Sequence, residues 1–378
     1  MLKIIIGADI CVTESNKEYF VSGDIEKLAD EGLRSVLDES DVRIFNLEGP
    51  LTDEVAPIGK CGPNLRMPEQ AINGLANLKP SLLTLANNHI MDHGVTGYQK
   101  TVSLLREAGI PYVGAGENLE EASGGCIIEK NGLKIGVYAC AEHEFTIAGK
   151  ETPGANPFDV LSSFDHIFNL KKQCDFLIVL YHGGKECYRY PSPEIQKVFR
   201  KMSEKGADLV IAQHTHCIGC MESYHNAELV YGQGNFIFDG ADNEYWNTGM
   251  LLEICLDGEN KRLRFYPFVK GKDGSVSLAS GETAARLHRE FRQRSEQILD
   301  EEFVRKNYMQ YAAENLGNYL CVLHGNNFWF KAVNRLTGGK FVFRQYRNPR
   351  SVRNLLNYVE CEAHRELMIA ALKSHYNS

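Results

Sequence analysis

Short runs of apolar, often β-branched residues punctuate the first three quarters of the chain. They fall at residues 2–6, 42–45, 82–85, 127–129, 135–139, 176–180, 209–212, 229–231 and 250–255. Runs without polar interruption predict strands covered on both faces. Between several of them apolar residues recur at helical spacing, predicting helices over 25–37, 68–78, 96–108 and 193–205. Alternating strand and helix predicts an α/β fold with much parallel sheet. Asn131-Gly132 between two runs predicts a tight hairpin turn. The number of runs exceeds what one small sheet uses, so two sheets packed face to face with helices outside are expected.

Beyond Lys272 the pattern changes. Residues 280–318 and 351–376 carry helical, Arg-rich patterns, with an aromatic patch at Phe328-Trp329-Phe330 and a strand-like run at 340–343 between them. The Gly271-Lys272-Asp273-Gly274-Ser275 stretch marks the expected boundary, giving a domain over 1–272 and a mainly helical extension over 273–378. The formal net charge is −8, yet residues 280–378 hold 15 Lys and Arg against 10 Asp and Glu. The chain as a whole is therefore no nucleic-acid binder by charge, while its last hundred residues are mildly basic. Eleven Cys without framework spacing read as reduced thiols and point to the cytoplasm. The N-terminal apolar run is too short for a signal peptide, and no stretch nears the ~20 apolar residues of a membrane span, so no transmembrane anchor is expected.

Candidate chemistry lies at the end of each run. The first ends in Gly7-Ala8-Asp9-Ile10-Cys11, the second in Asn46-Leu47-Glu48-Gly49, the third in Ala86-Asn87-Asn88-His89-Ile90-Met91-Asp92. Later runs lead into His182-Gly183-Gly184, into His214-Thr215-His216 and into Gly232-Gln233-Gly234-Asn235-Phe236. Polar, ligand-type side chains thus recur at the carboxyl ends of strands, the edge where open α/β sheets build sites. Two carboxylates, an amide and several imidazoles form a mixed oxygen and nitrogen set suited to Mn, Fe or Zn. Each piece alone is ordinary: a lone Asp after a strand caps a helix, and Asn-Asn-His is turn chemistry. Their joint occurrence, in order, is the signal. If extended, His214 and His216 would share one face.

This series resembles the CapA family of the calcineurin-like metallophosphoesterase superfamily, a family linked to capsule and poly-γ-glutamate synthesis. The resemblance covers about residues 1–270 and implies a four-layer αββα sandwich. It implies two divalent metal ions held by Asp9, Glu48, Asn88, His182, His214 and His216, with Glu48 bridging and His89 as the general acid. Two departures stand out. Cys11 occupies the place of a superfamily His, and His182-Gly183-Gly184-Lys185-Glu186-Cys187 lacks the aromatics of the fourth motif.

His143, after the run at 135–139, and Arg66 are candidate substrate contacts, as is Lys60. Cys217-Ile218-Gly219-Cys220 lacks the second ligand pair of a zinc site. The expected function is metal-dependent hydrolysis of a phosphoester on a phosphorylated or polyanionic molecule or polymer. The alternative is a non-hydrolytic accessory protein in capsule or poly-γ-glutamate assembly. The basic tail suits contact with a polyanion or an anionic lipid surface, but packing on the main domain or on a second subunit, as a homo-oligomer contact, is the expectation, and its His residues are not expected to bind metal.

Overall fold

The computed structural model describes residues 1–258, 260–324 and 327–376. The strands in chain order are β1 (Leu2–Ile10), β2 (Val42–Leu47), β3 (Leu82–Thr84), β4 (Tyr112–Val113), β5 (Ala115–Gly116) and β6 (Cys126–Lys130). Next come β7 (Leu133–Ala141), β8 (Gly154–Ala155), β9 (Phe176–His182), β10 (Leu209–Gln213) and β11 (Met221–Tyr224). The last are β12 (Ala227–Val230), β13 (Asn235–Ile237), β14 (Thr248–Asp257), β15 (Asn260–Lys270) and β16 (Val276–Leu278). One sheet has the order β16-β15-β14-β1-β2-β3-β4, with β13 also paired to β1; the other has the order β11-β12-β10-β9-β7-β6. β1 to β4 run parallel, as do β7, β9, β10 and β12. The Asn-Gly hairpin joins β6 to β7, with φ of 51° at Asn131 and 77° at Gly132, the left-handed pair such a two-residue turn demands.

The sheets pack face to face. Ile4, Ile6 and Ile44 from the first and Val137, Ile178 and Ile211 from the second share one buried layer. Their neighbours along each strand point the other way. Ile5, Phe45 and Leu83 meet helices Glu31–Asp38 and Gly94–Glu107. Tyr138, Val179 and Val210 meet helices Ser163–Lys171 and Pro193–Glu204. Both faces are covered, which is why the strands are apolar throughout rather than alternating. The result is a four-layer αββα sandwich.

The helix expected over 25–37 is two helices, Ile25–Leu28 and Glu31–Asp38. The break is Asp30, whose carboxylate caps the second helix by accepting from the Leu33 amide at 2.8 Å.

The chain divides into two compact units, Met1–Val304 and Arg305–Ser378. The boundary expected at 272 therefore lies inside the first unit. The reason is packing: on helix Gly281–Gln297, Leu287 and Phe291 are buried with Ile218 and Met250. Arg294 on the same helix donates to the carbonyls of Gly219 (2.8 Å) and Ile218 (3.2 Å). The second unit is helical, with helices Phe328–Leu336, Lys340–Gln345, Pro349–Glu360 and Glu362–Tyr376. The strand-like run at 340–343 is thus helix. Four residues, three of them apolar, are too few to fix a period, and burial of Val342 with Leu320 and Cys321 decides the outcome.

Candidate metal centre

The carboxyl ends of β1, β2, β9 and β10 bring polar side chains together where the two sheets meet. Asp9 sits in register with Asn46 on β2 and Asn235 on β13. Its Oδ1 accepts from Asn46 Nδ2 at 2.8 Å and its Oδ2 from the His214 amide at 3.3 Å. His182, the last residue of β9, lies 4.0 Å from Asp9 Oδ1 through Nδ1 and 3.7 Å from Glu48 Oε1 through Nε2. The same Nε2 is 3.0 Å from Asn88 Oδ1. His216 Nδ1 is 4.0 Å from Asp9 Oδ2. One ligand atom from each of Glu48, His214 and His216 lies within 4.8 Å of the others. The structure thus gathers Asp9, Glu48, Asn88, His182, His214 and His216, all of them buried.

His214 and His216 reach this point by a left-handed backbone. They are not extended: β10 stops at Gln213, and φ is 78° at His214 and 52° at His216. Left-handed backbone at a non-glycine residue costs of order 1–3 kcal/mol and concentrates at functional sites. Gly232 lets this turn approach, because a Cβ there would lie 2.7 Å from Thr215 Oγ1 and 2.8 Å from the Cys217 carbonyl.

Burial is the leading cause of the shift at each of Asp9, Glu48, His182, His214 and His216. Burial raises the Asp9 carboxyl, and burial together with the adjacent Asp9 raises Glu48 well above the carboxylate range. Burial and neighbouring imidazoles hold His182 well below its ordinary value, and burial likewise lowers His214 and His216. Both oxygens of Glu48 and Nδ1 of His214 are buried without a hydrogen-bond partner. Orphaned polar atoms of this kind are costly unless something pairs with them. Lone pairs from carboxylate and imidazole converging on one point fit a divalent cation, whose charge reverses the local titration logic.

The surrounding residues orient these groups, and several went unassigned from sequence. Asn235 Oδ1 accepts from His216 Nδ1 at 2.7 Å, leaving Nε2 as the donor-atom nitrogen. Asn87 holds Asn46 at 3.1 Å. Trp246 stacks on His216 with ring centroids 4.5 Å apart. Its short helix Glu244–Asn247 is tied down by Glu244, which pairs with Arg189 (3.3 Å) and Arg286 (3.0 Å). Asn46 was legible in principle, since it lies at the end of a buried run, two residues before Glu48. Trp246 gave no periodic signal.

His89 forms its own cluster. Its Nδ1 donates to Asp92 Oδ2 at 2.6 Å, and Asp92 also pairs with Lys60, whose side chain is 2% exposed. Both partners are donors toward Asp92, so the 3.0 Å between Lys60 Nζ and His89 Nδ1 is a contact rather than a bond. Of the three candidate substrate contacts, His143 and Arg66 stand apart from the ligand cluster. Exposed His143 lines a separate cavity with His166 and Lys150, while exposed Arg66 binds the Thr52 and Asp53 carbonyls. Glu144, next to His143, instead accepts from Asn88 Nδ2 at 2.8 Å. Cys11 is buried, and burial pushes its thiol up, so it is not poised as a thiolate.

The chain is similar to proteins of capsule synthesis. It is 30% identical over 212 residues to the capsule biosynthesis protein CapA of Bacillus anthracis, covering 54% of this chain and 52% of that one. It is 31% identical over 179 residues to the PGA biosynthesis protein CapA of Bacillus subtilis, covering 47% of each. The chain therefore spans about half the length of the curated relatives it matches. A phosphatase structure from Mycoplasma pneumoniae superposes with a TM-score of 0.46 at 14% identity, covering 71% of this chain and 93% of that one. Residues 3–240, more than half of the chain, match the model of the bacterial capsule synthesis protein PGA_cap, and the chain belongs to that family.

Proposed function

We propose that the protein is a metal-dependent phosphoester hydrolase acting in capsule or polymer synthesis, with Asp9, Glu48, Asn88, His182, His214 and His216 holding two divalent ions. The observation that carries this reading is Glu48, a buried carboxylate with both oxygens unpartnered beside two imidazoles. Ions held there would supply Lewis acidity and a hydroxide at neutral pH. The chain's own residues do the rest. Asn46 and Asn235 fix the orientation of Asp9 and His216. Asp92 takes the Nδ1 proton of His89 as a hydrogen bond, so Nε2 is the nitrogen that delivers a proton to the leaving oxygen. Lys60, paired with the same Asp92, balances the carboxylate charge beside His89.

His89→Asn should keep its metal and lose turnover of an aryl phosphate ester by about 10²–10⁴-fold. His214→Ala should lose metal, read by elemental analysis of protein purified without chelator. Equal metal loss in both variants would make His89 a ligand. Metal binding by the parent with no turnover of any phosphoester would favour the non-hydrolytic accessory reading.

A further inference from the structure

The second compact unit, Arg305–Ser378, has a surface unlike the rest of the molecule. Between Glu314 and Glu360 the sequence holds seven Lys and Arg and no acidic residue. All seven are exposed, and among the described residues none pairs with a carboxylate. The same stretch leaves large apolar side chains outside its small core of Leu320, Cys321 and Val342. On helix Phe328–Leu336, Phe330 packs inward against His324 and Phe341. Phe328, Trp329 and Leu336 stay 74%, 76% and 86% exposed. On helix Pro349–Glu360, Val352, Leu356 and Val359 form an exposed stripe at i, i+4 and i+7, flanked by Arg350 and Arg353.

Three kinds of occupant can be weighed. A second copy seated through a two-fold axis would bring the same basic surface against itself, with Glu360 at the end of its second helix set against seven cations. A dissolved polyanion would pair with the charges but leave Phe328, Trp329 and Leu336 in water. An anionic bilayer takes both, since aromatic and aliphatic groups enter the headgroup boundary while Lys and Arg meet the lipid phosphates. Among the described residues no helix is long and apolar enough to cross a membrane, so the mode is lying on the surface. We infer that helices Phe328–Leu336 and Pro349–Glu360 are a docking surface for an anionic phospholipid bilayer. This is independent of the hydrolase reading.

The test is co-sedimentation of the full chain with vesicles of phosphatidylglycerol mixed into phosphatidylcholine, against phosphatidylcholine alone, at low and high salt. Binding should require phosphatidylglycerol and weaken with salt. Each basic residue near the surface is worth about fivefold in partitioning, so Arg350→Glu with Arg353→Glu should lose at least about tenfold. Phe328→Ser with Trp329→Ser should lose a similar factor at unchanged circular dichroism. The lipid and salt contrasts on the parent stand even where a variant misfolds. No vesicle binding, equal binding to both lipids, or folded variants that bind like the parent would overturn the inference. Retention by soluble polyglutamate without vesicle binding would assign the surface to a polyanion instead. A dimer abolished by the aromatic substitutions, without vesicle binding, would assign it to a second copy.

Discussion

Lys60 is an exposed-looking residue in sequence, set in a loop of small and polar neighbours, yet its ammonium ends against Asp92 with both side chains almost fully buried. A buried ion pair is weak evidence of net stability, but removing Lys60 leaves the Asp92 carboxylate without its ammonium, held only by His89 Nδ1 and the Leu65 amide. Lys60→Met should therefore destabilise the protein by roughly 1.5–3 kcal/mol, read from the urea midpoint. A loss under about 1 kcal/mol would mean that water reaches Asp92 in the native state. Lys270 makes the opposite kind of prediction. Burial holds its ammonium down at about 7, and Nζ donates to the Phe238 carbonyl at 2.5 Å. Between that value and the ordinary 10.5 the unfolded chain binds more protons than the folded one, so this group makes stability rise with pH across the window. Lys270→Met should remove that rise and stabilise the protein near neutral pH. An identical pH profile for parent and variant would refute it. At this scale the sequence shows which residues have ligand chemistry. It does not show the partners that orient them, because Asn235, Trp246 and Lys60 come from distant segments joined only by folding.

Among the elements, strand ends were the most legible feature, because each buried run stops where polar residues begin and that edge collects them from consecutive parallel strands. The hairpin at Asn131-Gly132 was legible for a local reason, its two left-handed residues. The extended geometry that would set His214 and His216 on one face is not what the chain adopts, and nothing local announces left-handed backbone at histidine. Gly7 illustrates a constraint that only packing reveals. It lies two residues before Asp9, and a Cβ at its position would sit 2.4 Å from Phe45 Cδ1. Phe45 in turn stacks on Phe236 at 5.3 Å, in the β13 strand that carries Asn235. Gly7→Val should cost about 1–3 kcal/mol by overpacking, and shift the ends of β1 and β13 together. The check is metal affinity alongside the urea midpoint. Lost stability with unchanged affinity would show that the strand ends are positioned independently of this contact.

For the whole molecule, composition changes after Lys272 while compactness changes after Val304, and the difference has an energetic meaning. Composition tracks surface chemistry: helix Gly281–Gln297 is Arg-rich outside and buries only a stripe. That stripe still belongs to the sandwich. Leu287, Phe291, Ile298 and Val304 are each under 5% exposed, and Gln196 on the opposing helix donates to the Ile298 carbonyl at 3.1 Å. Burying each such side chain contributes about 1.5–3 kcal/mol, so the four together rival the ~5–15 kcal/mol that holds a whole domain folded. Two truncations separate the descriptions. A chain ending at Lys272 should be insoluble or molten, since it uncovers Ile218, Met250 and the face of helix Pro193–Glu204. A chain ending at Val304 should fold cooperatively, and it should bind the same metal as the full chain, because every candidate ligand and every residue that orients one lies before it. Sharp thermal unfolding of the 1–272 chain would place the boundary where the composition changes. Loss of metal from the 1–304 chain, with its unfolding still cooperative, would mean that a residue after Val304 enters the centre.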